Sequence, residues 1–197
     1  MKKLFAIIAL AFLLPVNLFA MPKEFNIGAN MSFPVKSDFG LTYGGNKIKY
    51  GRGYGVNAEF YLLPTSWFAI GLGGQYSWFD GTSYTDGAKF KPVAYSANLA
   101  AKLKLYYSDN IKFYIPFGAG YAETRLNLKN LSHLQSDRNN EIGYYAGLGM
   151  MWKSIVLEAR YSHFPKPEVI RKSNGYKFEF NRFDQINILA SWRFSVL

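Results

Sequence analysis

The chain of 197 residues carries a formal net charge of +10 and has a mean hydropathy of -0.08, although 49% of its residues are hydrophobic and 18% are aromatic. The near-zero mean shows that apolar and polar residues are interleaved, and the length suits one domain. The absence of cysteine excludes disulfides, thiolate metal sites and a thiol nucleophile. The positive charge favours anionic partners without choosing among lipids, acidic polysaccharides and nucleic acid.

The first twenty residues have the layout of a secretory signal peptide. Lys2 and Lys3 precede an apolar core at residues 4–14, and Pro15 and Ala20 follow it. We predict a cleaved leader at residues 1–20 and a mature domain at residues 21–197. No later apolar run approaches the ~20 residues that a membrane helix needs. If the mature chain crosses a membrane, it must do so as the strands of a closed barrel.

Eight segments after the leader alternate between apolar residues and polar or small ones, which is the period of a β-strand. They span residues 23–33, 52–62, 67–79, 93–106, 111–122, 142–152, 155–162 and 184–194. Each is close to the ~9 to 11 residues that cross a bilayer at a tilt. Their connections alternate between long and short, as periplasmic turns and extracellular loops do. Pro116 predicts a bulge or bend in the fifth strand.

The two faces of these strands differ in a way that predicts which side meets lipid. One face carries aliphatic residues with aromatic ones at both strand ends, for example Tyr76 and Trp78 at one end and Trp152 and Trp192 at the other. Such girdles mark the two interfaces of a bilayer. Glycine and polar residues on the other face suit the narrow inside of an eight-stranded cylinder. A soluble barrel with an apolar cavity would need the opposite arrangement.

The last strand, DQINILASWRF, closes its apolar face with Trp192 and Phe194. It resembles the C-terminal strand of bacterial outer-membrane β-barrels, although Ser195, Val196 and Leu197 follow the final aromatic residue. The segment YIPFGAGY is similar to a strand of small barrels of this kind, and the chain after the leader resembles the OmpA/OmpX-type family. The resemblance implies an all-β, eight-stranded, antiparallel, up-and-down transmembrane β-barrel in the bacterial outer membrane. We expect a monomer.

Charged residues on the predicted inner face form the first candidate site. They are Glu59, Lys102, Lys104, Glu158, Arg160 and Arg193. Isolated charges in a tight lumen are costly, so these should form pairs. The pairs could act as a gate in a narrow channel for ions or small solutes, or as a structural plug. The narrow interior favours the plug.

Cations in the predicted outer loops form the second candidate site. The last loop carries the candidate anion-binding residues Lys166, Arg171, Lys172, Lys177 and Arg182, and other loops contribute further cations such as Lys89, Lys91, Arg125 and Lys129. These residues could bind anionic outer-leaflet lipid, or acidic glycans on a host surface. They could equally form a solvated surface that keeps the loops apart, and both interpretations remain open.

His163 is the candidate for a catalytic residue. The segment ARYSHFPKP faintly resembles the outer-membrane lipid A deacylases, which carry a His-x-Ser motif, but Pro165 occupies the serine position. Ser162 points to the opposite face of the strand. His133 and His163 give no metal-binding spacing. We therefore predict no enzyme, no cofactor, no metal and no nucleic-acid partner. The expected role is structural or in surface interaction, with a narrow channel as the alternative and a lipid A modifying enzyme as the less favoured one.

Two aromatic segments continue the phase of neighbouring strands into the outer loops. They are Phe39, Leu41 and Tyr43 after the first strand, and Tyr176, Phe178 and Phe180 before the last. Paired hairpins there would offer an open edge to a partner strand. Packing of the aromatic residues on one another at the loop ends is the preferred interpretation.

Overall fold

A computed structural model describes residues 23–36, 38–43, 46–63, 65–83, 87–108, 110–131, 134–137, 139–172, 177–179 and 183–196. The predicted signal peptide at residues 1–20 lies outside this part of the chain. Among the residues described, no helix is long and apolar enough to cross a membrane. The strands are β1 (Lys23–Pro34), β2 (Asp38–Tyr43), β3 (Asn46–Leu62), β4 (Phe68–Ser83), β5 (Lys89–Tyr107), β6 (Ile111–Lys129), β7 (Leu134–Asp137), β8 (Asn139–Trp152), β9 (Ile155–Phe164), β10 (Glu168–Arg171), β11 (Lys177–Glu179) and β12 (Phe183–Val196).

Eight of these strands close into an antiparallel barrel. The order around the barrel is β1-β12-β9-β8-β6-β5-β4-β3, and β3 pairs with β1 to complete the ring. The eight strands correspond to the eight predicted ones, so the predicted fold class is confirmed. The short connections at residues 63–67, 108–110 and 153–154 lie at the end where β1 begins and β12 ends. The remaining strands β2, β7, β10 and β11 lie at the opposite end, which we call the outer end.

Several strands continue further toward the outer end than the alternation predicts. β5 begins at Lys89 and not at residue 93, and β6 ends at Lys129 and not at residue 122. The two strands pair in unbroken register from Lys89↔Lys129 down to Lys104↔Tyr114. Pairing continues because it satisfies the backbone hydrogen bonds whatever the polarity of the side chains. Part of each predicted polar loop is therefore a β-sheet extension of the barrel.

The structure of the outer end shows how the two aromatic segments predicted there are paired. β2 forms a hairpin with β3, where Tyr43 pairs with Asn46. β11 pairs with β10, and β10 pairs with β7, so these three strands form a separate sheet. The segment that contains Phe178 therefore does not extend the ladder of the last strand. Tyr176 and Phe180 lie outside the residues that the structure describes.

The bulge predicted at Pro116 does not form. β6 and β8 keep one register on both sides of it, from Tyr114↔Gly149 to Phe117↔Ala146. Proline lacks a backbone N–H, so the ladder loses a hydrogen bond there without a shift in register. The register shift between β5 and β6 lies instead at Lys104 and Tyr106.

The barrel is apolar outside and polar inside. Leu99, Ile142 and Leu148 point outward and are 64%, 76% and 67% exposed, whereas Asn26 and Asn187 point inward and are fully buried. Exposed aromatic residues form one girdle near the outer end (Tyr54, Tyr76, Trp78, Tyr121, Tyr144 and Tyr161) and one near the short turns (Phe25, Phe113, Trp152, Trp192 and Phe194). Soluble monomers do not expose an apolar belt of this extent, and lipid is the solvent that it fits.

Candidate functional site: the filled lumen and the cationic outer wall

Arg160 is the centre of the buried charges in the lumen. Its guanidinium group lies 2.5 Å from Glu59 Oε1 across the lumen, and it donates a hydrogen bond to Glu158 on its own strand. Tyr114 O–H donates to Glu158 Oε1 at 2.5 Å. The guanidinium also lies over the Tyr145 ring, 4.5 Å from its centre. One cation thus balances two carboxylates that are both shielded from water.

Lys102 forms a second pair nearer the short turns. Its Nζ donates to Glu24 Oε1 at 2.7 Å, and both side chains are no more than 3% exposed. The same ammonium group lies 4.0 Å from the Tyr61 ring centre and 5.0 Å from that of Tyr114. Lys102 is therefore held by one carboxylate and two aromatic faces.

The other two predicted inner cations lie at the rim. Arg193 is 4.0 Å from Glu24 Oε2, and it donates a hydrogen bond of 2.8 Å to the Lys153 carbonyl group in the β8–β9 turn. Lys104 lies two residues beyond Lys102, opposite Tyr114 in the β5–β6 register, and is half-buried. Neither side chain reaches the degree of burial of Lys102 or Arg160.

The sequence analysis missed Glu24 and three tyrosines as members of this network. Glu24 shares the inward phase of Asn26 and Asn30, so strand parity alone would have identified it. Tyr61, Tyr114 and Tyr145 also have the inward phase, but aromatic residues were associated with the lipid face. Parity is therefore the better guide to the lumen than residue type.

Above the charges, the lumen is filled by amide and hydroxyl groups. Asn30 Nδ2 donates to Ser77 Oγ at 2.9 Å, and Asn187 Nδ2 donates to Ser162 Oγ at 2.8 Å. Ser32 Oγ in turn donates to Asn187 Oδ1 at 2.5 Å. A pocket lined by Ser162, Gln75, Ser96 and Asn98 among others has a volume of about 10 Å³, which is roughly what one water molecule needs.

An apolar cluster closes the outer end of the lumen. Phe183 is fully buried, and its ring centre lies 4.9 Å from that of Tyr50 and 4.8 Å from that of Phe79. The other members are Ile48, Ala88, Phe90, Ala94, Ala122, Leu126, Leu131, Phe164 and Val169. The lumen is thus filled in three successive layers: ion pairs, amide–hydroxyl pairs and apolar side chains.

The predicted anion-binding residues of the last loop that the structure describes lie on β10 and β11 or beside β10. Lys166 is half-buried between β9 and β10, Arg171 ends β10, and Lys172 follows it with an exposed side chain. Lys177 begins β11, and Arg182 lies outside the described residues. Lys172 borders a surface groove of about 600 Å³ whose other walls include Leu128, Leu131 and Leu134.

His163 points outward from the barrel, beside the aromatic girdle near the outer end, which we call the upper girdle. Its Nδ1 is 2.6 Å from Asp184 Oδ1, and its ring stacks on that of Tyr144 with 4.8 Å between the centres. Ser162 faces the lumen, where it accepts the Asn187 hydrogen bond, so it does not reach this pair. Within the described ranges, no group of three or more His, Asp or Glu residues is placed to hold a metal ion.

A different cluster follows the upper girdle on β5 and β6. Glu123 is 2% exposed although it points outward. It accepts a hydrogen bond of 2.5 Å from Tyr121 O–H and another from Arg125 Nε. Arg125 Nη2 also donates to Tyr95 Oη at 2.6 Å. These contacts fix the guanidinium group against the outside of the barrel, with the Arg125 side chain 36% exposed.

Comparison with known families agrees with this geometry. The sequence profile described as "Outer membrane protein beta-barrel domain" matches residues 6–194. The chain belongs to this family. The barrel is therefore an outer-membrane protein, and its aromatic girdles match the two lipid interfaces of such barrels. No curated protein matches the sequence.

Solved structures of other outer-membrane barrels share the fold at low sequence identity. OprG from Pseudomonas aeruginosa has a TM-score of 0.58 at 12% identity, over 90% of this chain and 96% of OprG. Neisserial surface protein A has a TM-score of 0.51 at 11% identity, over 87% of this chain and 97% of that one. A major outer-membrane protein from Thermus thermophilus has a TM-score of 0.50 at 14% identity, over 87% of this chain and 99% of that one. At these identities the similarity shows the fold alone.

Proposed function

We propose that this outer-membrane barrel is a closed, monomeric surface protein. It binds anionic groups at the cell surface through the cations of its outer end, which we take as extracellular and call the extension. The observation that carries the proposal is the contrast between its two sets of charges. Charges inside the lumen are buried and paired, as for Arg160 with Glu59 and Lys102 with Glu24. Cations of the extension point to solvent, as Lys36, Lys91 and Lys172 do.

The filled lumen supports a surface role over the alternative of a narrow channel. An ion entering it would have to separate the Arg160 and Lys102 pairs, and breaking a buried pair costs about 3–5 kcal/mol. It would also have to displace Phe183 and Phe79, which are 0% and 2% exposed. The role therefore lies outside the lumen, and it requires neither catalysis nor a cofactor.

The extension also has the rigidity that a binding surface needs. Its interior is the apolar cluster around Phe183, and its walls are continuous with the strands of the barrel. Side chains fixed on paired strands lose less conformational freedom on binding than those of a mobile loop. The extension can thus present the cations on its strands, such as Lys91, in fixed positions above the membrane.

A polyanion titration tests the proposal. Folded protein in uncharged micelles is expected to bind a sulfated polysaccharide and not neutral dextran, and to lose affinity about tenfold or more when salt rises from roughly 50 to 500 mM, because exposed charges are screened. The double variant K36Q/K172Q should bind more weakly than the wild type. Fluorescence anisotropy of the labelled polysaccharide gives the affinities.

The matched control removes two cations from the periplasmic side. K112Q/K153Q lowers the charge by the same amount and should bind the polysaccharide as the wild type does. The same preparations in a planar bilayer should give no steady conductance. Equal binding of dextran and polyanion, or a steady ion current through the wild-type barrel, would contradict the proposal.

A further inference from the structure

The outward faces of β5 and β6 carry a row of cations directly beyond the upper girdle. Going outward from the Tyr95↔Glu123 pair, the next outward pairs are Val93↔Arg125, Lys91↔Asn127 and Lys89↔Lys129. Lys91 and Lys129 are exposed, and Lys89 is half-exposed. We call Lys89, Lys91, Arg125 and Lys129 the cationic wall.

Within the described residues, the charge of the three lysines in this wall is not compensated by an ion pair. Like charges directly opposite each other, as at Lys89↔Lys129, destabilise a pair of strands. The acidic residue on the same outward face is Glu123, which is already engaged by Arg125 and Tyr121. Asp80 on β4 and Glu141 on β8 are exposed nearby, and within the described residues neither forms an ion pair with the three lysines. An anion from outside the chain would relieve the repulsion.

The height of the cationic wall indicates where such an anion comes from. Strands rise about 3.3 Å per residue and tilt by about 40° in a membrane barrel. On that geometry Arg125 lies about 5 Å above the level of Tyr95, and Lys91 about 10 Å above it. The headgroup layer is roughly 5–8 Å thick on each side of the hydrocarbon core, and lysine side chains can bend toward it. The lower part of the wall, Arg125 and Lys91, thus faces the lipid headgroups, and Lys89 and Lys129 lie further out.

Arg125 has the arrangement of a preformed ligand group. Glu123 and Tyr95 hold its Nε and Nη2, so the guanidinium group is oriented before any ligand arrives. Its side chain is still 36% exposed, which leaves donors accessible to a ligand. An oriented guanidinium group is well suited to phosphate because it can donate two parallel hydrogen bonds.

We propose that the cationic wall binds the phosphorylated headgroup of an outer-leaflet lipid. Arg125 and Lys91 contact the phosphate nearer the hydrocarbon core, and Lys89 and Lys129 contact anionic groups further out. The inference rests on the proposed function, because both assign a binding role to the extracellular cations, and it names one site and one ligand class. It places the ligand on the side of the barrel and not at its tip.

Lipid titrations of matched variants test the site. Folded wild type, K91Q/K129Q and K36Q/K172Q in uncharged micelles are titrated with diphosphoryl lipid A, and native mass spectrometry counts the bound lipid. K91Q/K129Q is expected to bind roughly 10- to 30-fold more weakly, since each basic residue near an anionic headgroup contributes appreciably. K36Q/K172Q should bind as the wild type does, and K91R/K129R should retain the affinity.

The remaining arms separate the possible outcomes. Equal weakening in K91Q/K129Q and K36Q/K172Q would mean diffuse electrostatic attraction and would overturn the site. Equal binding of dephosphorylated lipid A, or displacement of lipid A by millimolar inorganic phosphate, would overturn the headgroup assignment. Gel mobility before and after boiling confirms that each variant is folded. If the wild type binds lipid A but not the polysaccharide, the proposed function is wrong and the lipid site is retained. If it binds the polysaccharide but not lipid A, only the lipid site is wrong.

Discussion

Replacing Arg160 with methionine is expected to destabilise the barrel by about 3–5 kcal/mol, because the variant leaves Glu59 and Glu158 buried without their shared cation. Both carboxylates are no more than 3% exposed, so water cannot replace the guanidinium group without opening the lumen. Urea unfolding in micelles, followed by tryptophan fluorescence, measures the change in the free energy of unfolding.

Two further variants identify the cause of that loss. R52M removes an exposed arginine from β3 and should change the stability by no more than about 0.5 kcal/mol. The triple variant E59Q/E158Q/R160M removes both carboxylate charges together with the guanidinium group, and it should recover part of the lost stability. If R160M is as stable as the wild type, the carboxylates must be hydrated, and the closed-lumen interpretation is wrong.

Replacing Phe183 with alanine should also cost about 3–5 kcal/mol, because it leaves a cavity at the centre of the apolar cluster. The ring is fully buried between Tyr50 and Phe79 at the start of β12. F183L fills part of the cavity and should lose less. Unfolding in urea gives the free energies, and limited proteolysis reports whether the extension opens before the barrel does.

The comparison variant is V35A, which truncates an exposed side chain at the same end of the barrel. Val35 is 52% exposed, so the change should have little effect on the unfolding midpoint. If F183A and V35A unfold at the same urea concentration, the cluster does not stabilise the extension. The apolar layer would then be no barrier at the mouth of the lumen.

The spanning strands could be predicted from the sequence because lipid on one side and a packed lumen on the other impose a strict period of two. Residue parity therefore placed Glu59, Lys102 and Arg160 on the inner face. The partners could not be predicted, since Glu24 and Lys102 lie on β1 and β5, which are not neighbours in the barrel. A contact across the lumen depends on the closure and stagger of the whole sheet.

The extension and its outer wall were harder to predict for the opposite reason. Beyond the girdle no hydrocarbon core requires apolar residues on the outward face, so the sequence around Lys89 and Lys129 has the pattern of a loop although the two residues pair on adjacent strands. Their alignment also depends on the register shift in the β5–β6 ladder between Lys104 and Tyr106. That shift has no sequence signal as plain as Pro116, where the register does not shift.

The Glu24–Lys102 pair has a consequence for the circumference of the barrel. The two residues lie three strands apart around the ring and 78 positions apart in the chain, and their side chains meet at 2.7 Å. Barrel diameter grows with strand number, so a ring with more strands would be wider and would move them apart. An unclosed sheet would likewise leave Lys102 without its carboxylate. The pair therefore forms only when the sheet closes into a ring of eight strands.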